Sequence, residues 1–160
     1  NSAGDVACFD PGENIHQAGI LRTTSVPAQI NATQRMDSVL LAAKIMNALD
    51  YVGVMGVELF VTGQGLIVNE IAPRVHNSGH WTQNGCAVDQ FEQHIRAIAN
   101  WPLADGSRHS DVTMTNLIGN ALDALEALPS QAGTALHLYG TAEIKPGRKM
   151  GHYIRVRPKS

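Results

Sequence analysis

The sequence predicts an α+β fold: an antiparallel sheet with one long and one shorter helix, followed by a small β-rich unit. Three observations carry this. Apolar, β-rich runs flank Gly63-Gln64-Gly65, the pattern of a β-hairpin. Apolar residues recur at three- and four-residue spacing over 32–49 and again after Asp89, as in helices. From Val112 onward, short β-rich segments alternate with turn residues. With 160 residues, 44% of them hydrophobic, the chain can bury one ordinary core or two small ones.

Residues 4–10 read as a short strand, Pro11-Gly12-Glu13-Asn14 as a turn, and 20–26 as a second strand. The helix over 32–49 carries Met36, Val39, Leu40, Ala43 and Met46 on one stripe, with Leu41, Ile45 and Leu49 roughly opposite. Cover on two sides is therefore expected, with Asp37 and Lys44 on a narrow wet edge and Asn31 or Thr33 as the N-cap. After the hairpin, Pro73 and Gly79 make 71–82 a loop. Asp89-Gln90-Phe91-Glu92 has capping-box spacing and opens a helix whose stripe is Phe91, Ile95, Ile98 and Ala99. His94 falls on or beside that stripe and reads as a packing histidine. The polar stretch 103–111 marks a boundary, dividing the chain into 1–102 and 103–160. Beyond it come a strand over 112–119, a short helix over 121–128 stopped by Pro129, and a strand over 134–139. The run 142–145, the turn Pro146-Gly147-Arg148 and a final strand over 149–156 complete the unit.

The hairpin carries the chemistry. A three-residue loop would set Thr62 opposite Leu66, Phe60 opposite Val68 and Glu58 opposite Glu70. Opposed like charges are destabilising, so two such carboxylates need a cation or a shared proton. A solvent-facing pair on an edge hairpin is the plain alternative. Magnesium is typically held by one or two carboxylates plus substrate phosphates, so the pair Glu58 and Glu70 is a candidate metal site. The loop that follows is dense in donors: Arg74, His76, Asn77, Ser78, His80 and Thr82. Such a loop leaving paired carboxylates suits an anion or substrate platform.

Net charge −2 argues against general nucleic-acid binding. No run is long or apolar enough to span a membrane, and no signal peptide is visible. Cys8 and Cys86 form no disulfide framework or metal-spacing motif, which fits a reduced cytoplasmic setting. Because Asn1 stands where an initiating Met would, and a strand is expected almost at once, a piece of a longer protein is expected. Six of the twelve basic residues lie after position 144: Lys145, Arg148, Lys149, Arg155, Arg157 and Lys159. Arg155, Arg157 and Lys159 read as a solvated terminal strand. Arg148 and Lys149 flank a tight turn between Gly147 and Gly151, where backbone can approach a ligand closely and Arg and Lys suit a phosphate.

Several runs together resemble a known family. They are Glu58-Leu59-Phe60-Val61-Thr62, Asn69-Glu70-Ile71-Ala72-Pro73-Arg74 and His76-Asn77-Ser78-Gly79-His80-Trp81-Thr82. Gln90-Phe91-Glu92-Gln93-His94 and Pro146-Gly147-Arg148-Lys149-Met150-Gly151-His152 extend the match. The chain resembles the carboxyl-terminal half of the 5-(carboxyamino)imidazole ribonucleotide synthases, ATP-grasp enzymes of purine biosynthesis. The Asn-Glu pair with an upstream Glu is shared by many ATP-grasp ligases, whereas the run 76–82 is far more specific. The resemblance implies that 1–102 is the carboxyl-terminal part of an ATP-grasp domain. It also implies ATP and Mg²⁺ as cofactors and a cytoplasmic homodimer.

The implied reaction is carboxylation of the amine of 5-aminoimidazole ribonucleotide by bicarbonate, activated by ATP as carboxyphosphate. The resemblance assigns Glu58 and Glu70 to the metal, and His16, Asn69 and Glu70 to the nucleotide. It assigns Arg74, His76 and Asn77 to bicarbonate and the amine, and Arg148 with Lys149 to the ribonucleotide phosphate. Simple alternation puts Asn69 on the face opposite Glu70, so its role requires a twist or bulge at the strand end. Relatives often carry Lys where this chain has Thr141; a neighbour such as Lys145 would then substitute. As an isolated piece the chain is expected to have little or no activity. Another ATP-grasp carboxylate–amine ligase and a non-catalytic binding module of the same fold are the alternatives.

Overall fold

The computed structural model describes residues 1–120, 128–141 and 143–160. Among them, β1 (Glu13–Gln17), β2 (Ile20–Val26), β5 (Ser110–Ile118), β6 (Thr134–Leu138) and β7 (Lys149–Pro158) form an antiparallel sheet. Its order is β1-β2-β5-β7-β6. A separate hairpin pairs β3 (Gly56–Thr62) with β4 (Gly65–Ala72). The helices are α1 (Ala32–Ala48), the short α2 (Thr82–Gly85) and α3 (Gln90–Ile98). The class is α+β, as expected. The five-stranded sheet takes two strands from before residue 103 and three from after it, so both stretches share one sheet.

The core lies on one face of that sheet. Leu21 and Val26 of β2, Val112 and Met114 of β5 and Ile154 of β7 meet Trp81 and Cys86 from the covering loop segment. Phe9 packs edge-on to Trp81, with ring centroids 6.2 Å apart. Residues 4–10 are not a strand, contrary to expectation. They run without a ladder partner, held by Phe9 on the core and by Gly106, where a side chain would collide with the Cys8 carbonyl. Glu13 and Asn14, read as part of a turn, instead open β1. The two-residue link Ala18-Gly19 has positive φ at both positions (50° and 73°), which matches the twist of a tight hairpin.

Helix α1 has the expected Asn31 cap. Its side chain accepts from the Gln34 N–H at 2.8 Å, and the Gln34 side chain accepts from the Asn31 N–H at 3.0 Å. The expected two-sided cover is not found. No residue of α1 is buried, and Met36 and Leu40 are 59% and 58% exposed, because the described residues pack against it mainly through the β3–β4 hairpin. In α3 the stripe Phe91, Ile95 and Ile98 faces outward, and Gln90, Gln93 and Ala97 are buried. The glutamines lie inside because their amides replace backbone partners. Gln93 both donates to the Ala104 carbonyl (2.8 Å) and accepts from the Ala104 N–H (3.1 Å). His94 is structural, accepting the Val54 N–H at 3.0 Å.

The loop before β5 is tied down by a buried cation. Arg108 donates to Asp10 (2.5 Å) and Asp111 (3.0 Å), joining the amino-terminal segment to the sheet. Removing one partner leaves the others charged and poorly solvated. Arg108→Ala is expected to lower stability by about 2 kcal/mol, between the values for exposed and buried pairs; a urea melt checks this. The final strand starts at Lys149 as expected and extends to Pro158. Residues 143–145 are not in a strand; Lys145 instead pairs with Glu143 at 3.0 Å. The helix expected over 121–128 falls on 121–127, which, like Ala142, lies outside the described residues.

Candidate functional site

The β3–β4 hairpin opposes Glu58 and Glu70, but by another route than a three-residue loop. Thr62 pairs with Gly65 across a two-residue link, Phe60 faces Ile67, and Leu59 faces Val68. The expected pairs Thr62–Leu66 and Phe60–Val68 are therefore corrected by one residue. A bulge between Glu58 and Leu59, with Asn69 as the extra residue, then restores Glu58 opposite Glu70. The bulge also turns Asn69 to the carboxylates: its Nδ2 lies 3.4 Å from Glu58 Oε2. The same irregularity thus sets both features.

Other elements converge on Glu58, whose side chain is only 10% exposed. From β1, Asn14 Nδ2 donates to Glu58 Oε1 (3.3 Å) and His16 Nε2 lies 3.8 Å from Oε2. From the loop after β4, His76 stands between the two glutamates, with Nδ1 4.0 Å from Glu58 and Nε2 3.7 Å from Glu70. These groups line a cleft of about 930 Å³ bounded by α1, the hairpin and β1. Gly56 allows His76 its place: a Cβ there would stand 2.7 Å from the His76 Cβ. Burial pushes the His76 imidazole below its ordinary value. Glu58 and Glu70 oppose that shift, and Arg74 and Lys149 add to it.

His16, Glu58, Asn69, Glu70 and His76 are thus brought together, and the charge of Lys149 reaches His76. Arg74 and Arg148 are exposed; Arg74 donates to the Val75 carbonyl at 3.0 Å. Asn77 holds both side-chain polar atoms buried without a partner. Sequence reasoning missed Asn14, because an Asn in a turn is common. Ser78, counted among the loop's donors but given no role of its own, sets its hydroxyl 2.8 Å from His76 Nδ1. Lys145, the candidate substitute for a lysine at position 141, is engaged by Glu143.

The donor set fits a magnesium ion. Glu58 and Glu70 offer hard carboxylate oxygens on one side of the hairpin. Among the described residues no group of three or more His, Cys, Asp or Glu is placed to hold a metal alone. A site of two carboxylates completed by phosphate oxygens is the usual magnesium arrangement.

Behind the loop stands a column of rings. Phe91, His80, His152 and His137 stack with successive centroid distances of 5.7, 4.7 and 4.6 Å. Tyr139 Oη lies 2.7 Å from His152 Nδ1, and Gln83 Oε1 is 3.1 Å from its Nε2. Burial lowers His80 to about 4 and His152 to about 3. His76, Lys149 and His137 add to the first shift and Asp89 opposes it; His80 and His137 add to the second. Both rings stay neutral when folded but gain protons near pH 6.5 when unfolded. The unfolded state therefore binds more protons below that pH. Stability is expected to be full above pH 6.5 and to fall as pH drops from 6.5 toward 4, by up to about 1.4 kcal/mol per pH unit for each ring. Urea melts at pH 7.5, 6 and 5 check this.

Known proteins share the sequence and the fold of this chain. The ATP-grasp domain family model matches residues 1–91. The chain belongs to the ATP-grasp family. Residues 112–159 match the phosphoribosylaminoimidazole carboxylase C-terminal domain. The N5-carboxyaminoimidazole ribonucleotide synthase of Brucella melitensis is 50% identical over 159 residues, covering 99% of this chain and 44% of that protein. That of Escherichia coli is 48% identical over 151 residues, covering 93% and 41%. Among solved structures, the Thermus thermophilus synthetase superposes with a TM-score of 0.90 at 40% identity, covering 98% of this chain and 43% of that one. The Aspergillus clavatus synthase, in complex with ADP and 5-aminoimidazole ribonucleotide, gives 0.88 at 35% identity, covering 92% and 42%. The chain spans less than half the length of these relatives.

Proposed function

We propose that this chain is the carboxyl-terminal part of an enzyme that uses ATP and bicarbonate to carboxylate the amine of 5-aminoimidazole ribonucleotide. Bicarbonate is activated as carboxyphosphate, in the service of purine biosynthesis. The observation that carries the reading is the convergence of His16, Asn69 and His76 on the opposed Glu58 and Glu70 in one cleft. Residues 1–102 supply that cleft, and 103–160 supply the basic turn, on a sheet that both share. The enzyme acts in the cytoplasm as a homodimer, on small molecules rather than nucleic acid or membrane.

Bringing bicarbonate to a triphosphate sets anion against anion. Glu58 and Glu70 would hold Mg²⁺, which supplies neutralisation of phosphate charge. His16 and Asn69 offer N–H donors to phosphate oxygens. Arg74 and His76 orient bicarbonate and the amine; Asn77, whose amide atoms are sealed from solvent here, joins them only by turning outward. His76 stays neutral near pH 7, so it acts through a directed hydrogen bond rather than a charge. Arg148 and Lys149 bind the ribonucleotide phosphate. Positioning and preorganised charge account for most of the rate, and no covalent nucleophile is invoked.

The test is ADP release by the full-length protein. Release that requires both bicarbonate and 5-aminoimidazole ribonucleotide supports the reading; release driven by a different amine would assign another ATP-grasp ligase. Arg148→Ala is expected to raise the ribonucleotide KM about tenfold or more with the ATP KM little changed. Equal effects on both would remove Arg148 from the phosphate site.

A further inference from the structure

The loop 76–82 holds a second histidine that the proposed function leaves without a role. Hydrogen-bond logic fixes its state. The His76 backbone N–H donates to Gln90 Oε1 at 2.9 Å. A backbone N–H can only donate, so that atom is the amide oxygen and its neighbour the NH₂ group. The NH₂ group donates to the His76 carbonyl (2.9 Å) and lies 2.8 Å from His80 Nδ1. Nδ1 therefore accepts. The ring is neutral at pH 7, held down to about 4 chiefly by burial, so its single proton sits on Nε2.

That Nε2–H has no protein partner among the described residues. Nor is it among the fully sealed polar atoms, and the residue is half-buried rather than buried. The ring is held flat between Phe91 and His152, both within 13° of parallel. Gln90 is 2% exposed, so water does not compete for its amide. Gly79 leaves the amide room: a Cβ there would stand 2.5 Å from Gln90 Oε1. Lys149 opens β7 three residues before His152, the ring on which His80 stacks at 4.7 Å.

We propose that His80 is a further substrate contact, presenting its Nε2–H to an oxygen of the anionic ligand held by Lys149, with Gln90 as the positioning residue that fixes its tautomer. This rests on the reading that Lys149 serves the ribonucleotide phosphate. A neutral donor adds a directed hydrogen bond without a second cation. Gln90 acts twice, since the same amide anchors the backbone of His76 beside the carboxylates.

Long-range ¹H–¹⁵N spectra of the histidines in the full-length protein test both parts. The expected wild-type spectrum shows His80 protonated at Nε2 only; protonation at Nδ1 would overturn the proposal. Gln90→Glu, which cannot donate when ionised, is expected to move the proton to Nδ1 or charge the ring, and an unchanged tautomer would remove Gln90 as its determinant. On adding 5-aminoimidazole ribonucleotide, the His80 Nε2 signal is expected to shift. His80→Phe, which keeps the stack, is expected to raise the ribonucleotide KM about tenfold and leave the ATP KM unmoved. Ribonucleotide binding without a His80 shift overturns the contact while leaving the proposed function intact. Should the ribonucleotide not bind, the proposed function fails, and inorganic phosphate becomes the probe. A phosphate-dependent shift then supports an oxyanion contact at His80, and no shift overturns it.

Discussion

Glu70→Gln is expected to reduce Mg-ATP turnover by about 10³-fold or more while the protein remains folded. Glu70 is half exposed near the strand end, with His76 Nε2 3.7 Å away. Losing its charge therefore costs the fold little, since exposed pairs contribute about 0–1 kcal/mol. The chemistry loses more. A neutral amide is a poor ligand for a hard dication, and preorganised charge at a phosphoryl centre is commonly worth several kcal/mol. Steady-state kinetics beside a thermal melt check both halves. Near wild-type kcat would remove Glu70 from the metal site.

Gly56→Ala is expected to lower kcat about 10²-fold through geometry alone. The new methyl would lie 2.7 Å from His76 Cβ and 3.0 Å from Cγ, closer than such atoms approach, so one segment must give way. The His76 backbone is held in place by two hydrogen bonds to Gln90. The ring is therefore expected to leave its place between Glu58 and Glu70, and displacements near 1 Å in a positioned group cost about that much rate. An unchanged kcat would mean that His76 need not stand between the carboxylates.

The opposed glutamates were legible in the sequence because strand alternation and a short Gly-containing loop leave few registers. The actual register reaches the same pairing through a shorter link plus a bulge at Asn69, and periodicity does not record a bulge. Strand β1 was hidden because Ala18 is not a turn residue by type, yet it adopts φ 50°. Helix α3 was legible from its Asp89 cap and stripe, but its orientation was not. Hydrophobic pattern assumes that apolar residues face inward, whereas Gln90 and Gln93 are buried through specific backbone partners. The ring column joins loop 76–82 to strands far along the chain, a contact that lies beyond any local pattern.

The claim at the centre is that Glu58 and Glu70 together bind nucleotide through magnesium. Calorimetric titration of a non-hydrolysable ATP analogue into the full-length protein, with and without Mg²⁺, tests it directly when repeated on the Glu58→Gln/Glu70→Gln pair. Magnesium is expected to strengthen binding at least about tenfold in the wild type and hardly at all in the double variant. The same magnesium enhancement in both proteins would contradict it.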